Sequence, residues 1–239
     1  MSLFDRLLAA ADVKRVMVTR DQALPGRAEP MPVLAEHRVL QRPLRGEADA
    51  SGAYAPGGIG DWGPDLRAVV VAGGCFWGFE EIFWQLPGVV TTAVGYAGGY
   101  TPNPTYEEVC TARTGHTEAV LVVYDPQVLT FEKLLEVFYT THDPTQEMRQ
   151  GNDIGTQYRS AVFTFDDAEA DLAAAAARRF EPVLAEAGYG PVTSEISLLS
   201  DAGDGTFYYA EAYHQQYLFT NPNGYRCHAT TGLTFPAAG

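Results

Sequence analysis

No apolar run in the 239-residue chain approaches the roughly 18 residues that a membrane helix needs. The opening stretch, MSLFDRLLAAADVKRV, carries Asp5 and Asp12 where a secretory leader would be basic, and its short apolar part leads to no cleavage site. A cytoplasmic protein is the expectation. There is also no basic stripe. The net charge is −14, nearly all of it carried after residue 66, so a nucleic-acid surface is excluded and the acidity serves solubility. Cysteine is scarce: Cys75, Cys110 and Cys227 are odd in number and far apart. With no CxxC pair and no Cys/His zinc spacing, neither a disulfide scaffold nor a structural metal is expected. In a reducing compartment such cysteines are inert and buried, or reactive.

What is present divides the chain. Residues 1–66 are rich in Pro and Gly (QALPGRAEPMPV, RPLRG, SGAYAPGGIGDWGP), which predicts an extended segment wrapping the core, with one short helix near LFDRLLAAA. From Arg67 the pattern sharpens. RAVVVAG is a continuous β-branched run and reads as a buried strand. Phe76, Phe79, Phe83 and Leu86 follow at helical spacing until Pro87-Gly88 ends the helix. VVTTAVGYAGG and HTEAVLVVYDP read as strands, TFEKLLEVFYTTH as a helix with Thr130 as N-cap, and YRSAVFTF as a further strand. The order β-α-β-β-α-β predicts an α/β (α+β) fold: a ferredoxin-like split βαβ two-layer sandwich, with helices on one face. An alanine-rich helix disturbed at Pro182, a strand over TSEISLL, and a short aromatic helix after FYYAEAYHQQ extend it. The expected divisions are the 1–66 segment, an α/β domain over 67–225 and a flexible tail over 226–239.

Cys75 stands at the joint between the first strand and the first helix. Gly73-Gly74 allows a sharp turn, and a cysteine in the first helical turn meets free N–H groups and the positive end of the helix dipole, which favour a thiolate. A small buried residue at a tight joint is the ordinary alternative. Phe76 and Trp77 are successive helical residues pointing about 100° apart, so one packs while the other is free to line a hollow beside the sulfur. An aromatic wall suits a thioether methyl.

GCFWGFEEIFWQLPGV resembles the signature of the peptide methionine sulfoxide reductase A family. GYAGGYTPNPTYEEVCTARTGHTEAV, HDPTQEMRQGNDIGTQYRSAVF and FYYAEAYHQQYLFTNPNGY resemble later blocks of that family in the same order, and the N-terminal ALPGR and PMPV stretches resemble its longer members. The resemblance implies reduction of the S epimer of methionine sulfoxide, free or in proteins, by a monomer with no metal or organic cofactor. It implies that Cys75 is the nucleophile and becomes a sulfenic acid, that Phe76 and Trp77 hold the methyl, and that Glu118 is the acid. Tyr106 and Tyr158 become donors to the sulfoxide oxygen, and Asp153 a carboxylate at the pocket. From pattern alone, Glu118 is equally an edge glutamate, the tyrosines are ordinary packing residues, and Asp153 belongs to a turn. Its strand places Glu118 on one face with Val120 and Val122, where a desolvated carboxyl keeps its proton. Glu80 and Glu81 read as complements to the helix dipole. His116 is a possible base to Cys75, whereas His142 and His214 read as packing residues.

Turnover requires clearing the sulfenic acid. The family resolves it with a cysteine near the C-terminus, and thioredoxin reduces the disulfide, which makes Cys227 the candidate. The chain reads GYRCHATTG where the family reads Gly-Tyr-Cys, one residue later, and the place of a third redox cysteine is taken by Phe235. A two-cysteine cycle from Cys75 to Cys227 follows, with Arg226 favouring a Cys227 thiolate and Cys110 a bystander. A thiol peroxidase and a non-catalytic methionine-binding module remain the rival readings.

Overall fold

The computed structural model describes residues 13–227 and 229–237. The short helix expected near LFDRLLAAA lies outside them. Strand β1 (Arg67–Gly73) leads into α1 (Phe76–Trp84), then β2 (Val89–Ala97), α2 (Tyr106–Cys110), β3 (Thr117–Tyr124) and α3 (Phe131–Thr141). A two-stranded hairpin, β4 (Arg149–Gln150) and β5 (Asp153–Ile154), precedes β6 (Ser160–Thr164) and α4 (Asp167–Glu186). The chain closes through β7 (Glu195–Leu198), β8 (Tyr208–Tyr209) and α5 (Tyr217–Thr220).

The main sheet runs β7-β6-β1-β3-β2-β8. Its centre, β6-β1-β3-β2, is antiparallel throughout, with β3 inserted between β1 and β2. That is the expected split βαβ arrangement. β7 adds a parallel strand beside β6, and β8 an antiparallel one beside β2. Strand alternation sorts the side chains. Val69, Val71, Val120, Val122 and Val162 face a core with Phe79, Phe83, Leu134, Phe138 and Phe180 from the helices. Val70, Ala72, Leu121, Val123 and Phe163 face the other way and meet Leu44, Ile59, Leu199 and Phe207. Coil thus seals the side of the sheet that the helices leave open. Each buried Val or Leu contributes about 1.5–3 kcal/mol on either face.

Local signals set the helix starts. Thr130 accepts the Lys133 N–H, and Asp166 accepts the Glu169 N–H. The α4 helix has the expected span, running through Pro182 to Glu186. Ala173, Ala176, Phe180 and Leu184 bury one face of it, and that packing outweighs the hydrogen bond that proline removes. The α2 helix was not anticipated. It is held by a reciprocal capping box between Thr105 and Glu108.

Candidate active site

The turn from β1 into α1 sets the site. Gly74 adopts φ +97°, and a Cβ there would stand 2.7 Å from Gln150, so the backbone turn and the close approach both require glycine. Cys75 is the residue immediately before α1, not within its first turn as the spacing suggested. It is 8% exposed. Burial, and then the Glu118 carboxylate, push its thiol up, while a hydrogen bond from the Trp77 N–H acts the other way. The expectation of a resting thiolate is therefore corrected: desolvation outweighs the helix head, and the free site holds a thiol. The Glu118 contribution also lapses whenever that carboxyl is protonated.

Glu118 sits near the start of β3, is 2% exposed, and accepts the Phe76 backbone N–H at 3.0 Å. Burial raises it to about 8, against the lowering effect of that hydrogen bond. The carboxyl is neutral at pH 7 and able to donate. Tyr106, the first residue of α2, and Tyr158, just before β6, keep their hydroxyls protonated because burial and the nearby Glu118 raise both. The Tyr106 N–H is held by Glu211 at 2.9 Å, and Cys110 lies against the Tyr106 hydroxyl. Asp153, half-buried and raised by burial, accepts the Tyr225 hydroxyl at 3.1 Å.

The two aromatics after the cysteine divide the work. Phe76 is 1% exposed and packs against His214 (5.2 Å), Tyr96 (6.0 Å) and Tyr106 (6.5 Å). Trp77 stacks on Tyr217 at 4.0 Å, and its Nε1–H donates to Nδ1 of His214 at 3.0 Å. Burial lowers His214 to about 4, so the ring is neutral and Nδ1 is free to accept. Cys75, Phe76, Trp77, Tyr106, Glu118, Asp153, Tyr158 and Tyr225 together line one hollow of about 150 Å³. Two larger hollows, of about 360 and 400 Å³, flank Arg45, and neither is lined by a thiol.

Cys75 also lines a second, narrower cavity, together with Gly78, His142, Gln150 and Cys227. Both cysteines are free thiols. The Cys227 thiol donates to the Gln150 carbonyl at 3.5 Å, and burial raises it. The expectation that Arg226 would lower that thiol does not hold, because the Arg226 guanidinium is engaged by Glu81.

Other expectations change as well. His116 is no base to Cys75: Nδ1 accepts the Gly99 N–H and Nε2 donates to the Thr101 carbonyl, so the ring is consumed by backbone. His142 is likewise engaged, by the Phe138 carbonyl and Ser160. Glu80 is no surface complement to a dipole. It is fully buried, raised to about 7 by desolvation, and bonded to Thr92 and to the main and side chains of Gln216. Tyr225, His214, Glu211 and Gln150 were not foreseen as site residues. Among the described residues, no group of three or more His, Cys, Asp or Glu side chains is arranged to hold a metal, and no helix is long and apolar enough to cross a membrane.

A neutral carboxyl, two phenols and an indole around a thiol, carried on a split βαβ sheet, define a cysteine-centred α/β protein with a small hollow at its thiol. Residues 67–235 match the family model described as peptide methionine sulfoxide reductase, and the chain belongs to that family. It is 55% identical over 217 residues to the peptide methionine sulfoxide reductase MsrA of Azotobacter vinelandii, covering 91% of this chain and 92% of that one. It is 52% identical to the MsrA of Brucella anthropi, covering 93% of this chain and 94% of the other, so the likeness reaches into the N-terminal segment. Among solved structures it resembles methionine sulfoxide reductase A of Corynebacterium diphtheriae. The TM-score is 0.79 at 43% identity, covering 93% of this chain and all of that one.

Proposed function

We propose that this chain is a thioredoxin-dependent reductase of methionine S-sulfoxide, free and within polypeptides, acting as a cytoplasmic monomer. The observation that carries the reading is the shared pocket wall: a thiol, a carboxyl held neutral at pH 7 and two protonated phenols all face one small hollow walled by Phe76 and Trp77.

Each feature meets a requirement of the reaction. The aromatic wall takes the S-methyl group, and Tyr106, Tyr158 and Glu118 surround the position of the sulfoxide oxygen. Glu118 protonates that oxygen as the Cys75 sulfur attacks, and the thiol proton restores the Glu118 carboxyl. The S–O bond of the sulfoxide breaks as an S–O bond to Cys75 forms, two electrons pass from the thiol to the sulfoxide sulfur, methionine is released, and Cys75 is left as a sulfenic acid. Cys227 then forms a sulfur–sulfur bond to Cys75 while the S–OH bond breaks and water leaves. A thioredoxin dithiol reduces the resulting disulfide. The two cavities suit this order. Displacement at sulfur needs attacker and leaving group on opposite sides, and among the described residues Cys75 is the one that lines both the substrate hollow and the cavity holding Cys227.

The test is epimer-resolved reduction of methionine sulfoxide by wild type and Cys75→Ser. Wild type should consume the S epimer and leave the R epimer, and Cys75→Ser should consume neither. Brisk peroxide turnover by an enzyme inert toward both epimers would refute the reading.

A further inference from the structure

Glu81 lies on α1, one turn beyond Trp77, and points away from the substrate hollow toward the tail. Its carboxylate takes two hydrogen bonds from Arg226, Nε to Oε2 at 2.7 Å and Nη2 to Oε1 at 2.9 Å. The remaining nitrogen, Nη1, donates to the carbonyls of Pro222 at 2.8 Å and Gly224 at 3.4 Å. One guanidinium thus closes the turn that precedes it and fastens that turn to the helix, in the two-pronged geometry that makes arginine pairs specific. Gly78 of α1 lies beside it, and a Cβ built there would meet the Arg226 Cα in ordinary contact at 3.7 Å. The next residue is Cys227, whose thiol sits in the cavity shared with Cys75. Further along, Phe235 is buried against Tyr139 and Phe180. Near the thiol the tail is also held by the Tyr225 hydroxyl on Asp153 at 3.1 Å and by the Cys227 thiol on the Gln150 carbonyl at 3.5 Å, but the pair with Glu81, one residue before Cys227, is its one ion pair among the described residues.

We propose that Glu81 and Arg226 are positioning residues for the resolving step: their pair holds Cys227 against the rear of Cys75 and takes no part in the transfer of oxygen from substrate. The inference rests on the reduction mechanism above. In the step concerned, the Cys227 sulfur bonds to the Cys75 sulfur, the S–OH bond of the sulfenic acid breaks, and the hydroxyl departs as water with the proton of the Cys227 thiol. Releasing the latch leaves the tail tethered at Phe235 but lets Cys227 sample positions outside the cavity, which lowers its effective concentration at Cys75.

A single-turnover experiment with excess sulfoxide and no reductant separates the two steps. Methionine release reports oxygen transfer. Mass spectrometry of the Cys75–Cys227 bridge, with a 1,3-dione to trap sulfenic acid, reports resolution. In Glu81→Gln and Arg226→Gln, one equivalent of methionine should appear within about twofold of the wild-type rate, while bridge formation slows about tenfold and the dione adduct accumulates at Cys75. Arg226→Lys, which keeps the charge but loses the fork, should recover part of the rate. Wild-type bridge formation in both glutamine variants would overturn the latch, and so would slowing of methionine release in parallel with the bridge. A wild-type enzyme that released no methionine would overturn the reduction reading together with the latch resting on it.

Discussion

The Glu118 carboxylate accepts the backbone N–H of Phe76 at 3.0 Å, tying the candidate acid to the residue that follows the candidate nucleophile. The tether fixes the carboxyl at the head of α1, and burial raises it to about 8, so protons are available at neutral pH. An acid placed by the same turn that places the thiol needs no motion to reach the departing oxygen.

Replacing Glu118 by Gln keeps the shape and removes the proton. Turnover of methionine S-sulfoxide should fall by about 10²- to 10⁴-fold. The wild-type rate should decline as pH rises through about 8, where Glu118 loses its proton, and Glu118→Gln should lack that limb. A pH–rate profile of both enzymes checks this, and an unchanged alkaline limb in the variant would contradict it.

The Trp77 indole is aimed by a ring that the sequence pattern reads as packing alone. His214 accepts its N–H at 3.0 Å, and Tyr217 stacks on it at 4.0 Å. His214→Phe keeps the packing and removes the acceptor. Losing one hydrogen bond of about 1 kcal/mol should raise KM for the sulfoxide roughly fivefold with kcat within about twofold. Steady-state kinetics measures the split, and a fall in kcat at constant KM would show that His214 acts on the chemical step instead.

Opposite groups of buried residues shape stability against pH. His37, His116, His142 and His214 are each lowered by burial from 6.5 to about 4. Their stabilisation is present above about 6.5 and is lost as pH falls toward 4. Glu80 and Glu118 are raised from 4.5 to about 7 and about 8. Their stabilisation is full below 4.5 and is lost as pH rises through 7 to 8. Between 4.5 and 6.5 the unfolded chain binds more protons at the four histidines than the folded chain holds at the two carboxyls, so stability rises with pH. Above 6.5 the carboxyls reverse the slope. Urea midpoints should peak near neutrality, and Glu118→Gln should flatten the alkaline side. A midpoint climbing steadily from pH 4.5 to 9 would contradict the balance.

Much of this was legible in the residues because the signals are local. The Val69–Val71 run and the phenylalanine spacing of α1 define a strand and a helix without outside help, and the period of β3 puts Glu118 on the face of Val120 and Val122. The four-block resemblance chose the pocket-lining tyrosines. The remainder depends on long-range contacts that no local pattern encodes. Glu80 looks like an exposed helical glutamate until Gln216, 136 residues later, is seen to bury it. Arg226 looks like a partner for the neighbouring thiol until Glu81, 145 residues earlier, takes it. The capping box of α2 is a local signal as well, since Thr105 followed by Glu108 is the required spacing.

The proposed cycle rests on a thiol shared by two cavities: Cys75 lines the hollow that holds Glu118 and Trp77 and also the cavity that holds Cys227. The most direct measurement is peptide mapping of wild type and Cys227→Ser after methionine S-sulfoxide is added without reductant, followed by turnover with thioredoxin. Wild type should lose two hydrogens at a Cys75–Cys227 bridge. Cys227→Ser should release one equivalent of methionine, hold a sulfenic acid at Cys75, and fail to cycle. A Cys227→Ser enzyme that turns over at the full rate with thioredoxin, or a wild type whose bridge joins any other pair, would contradict it.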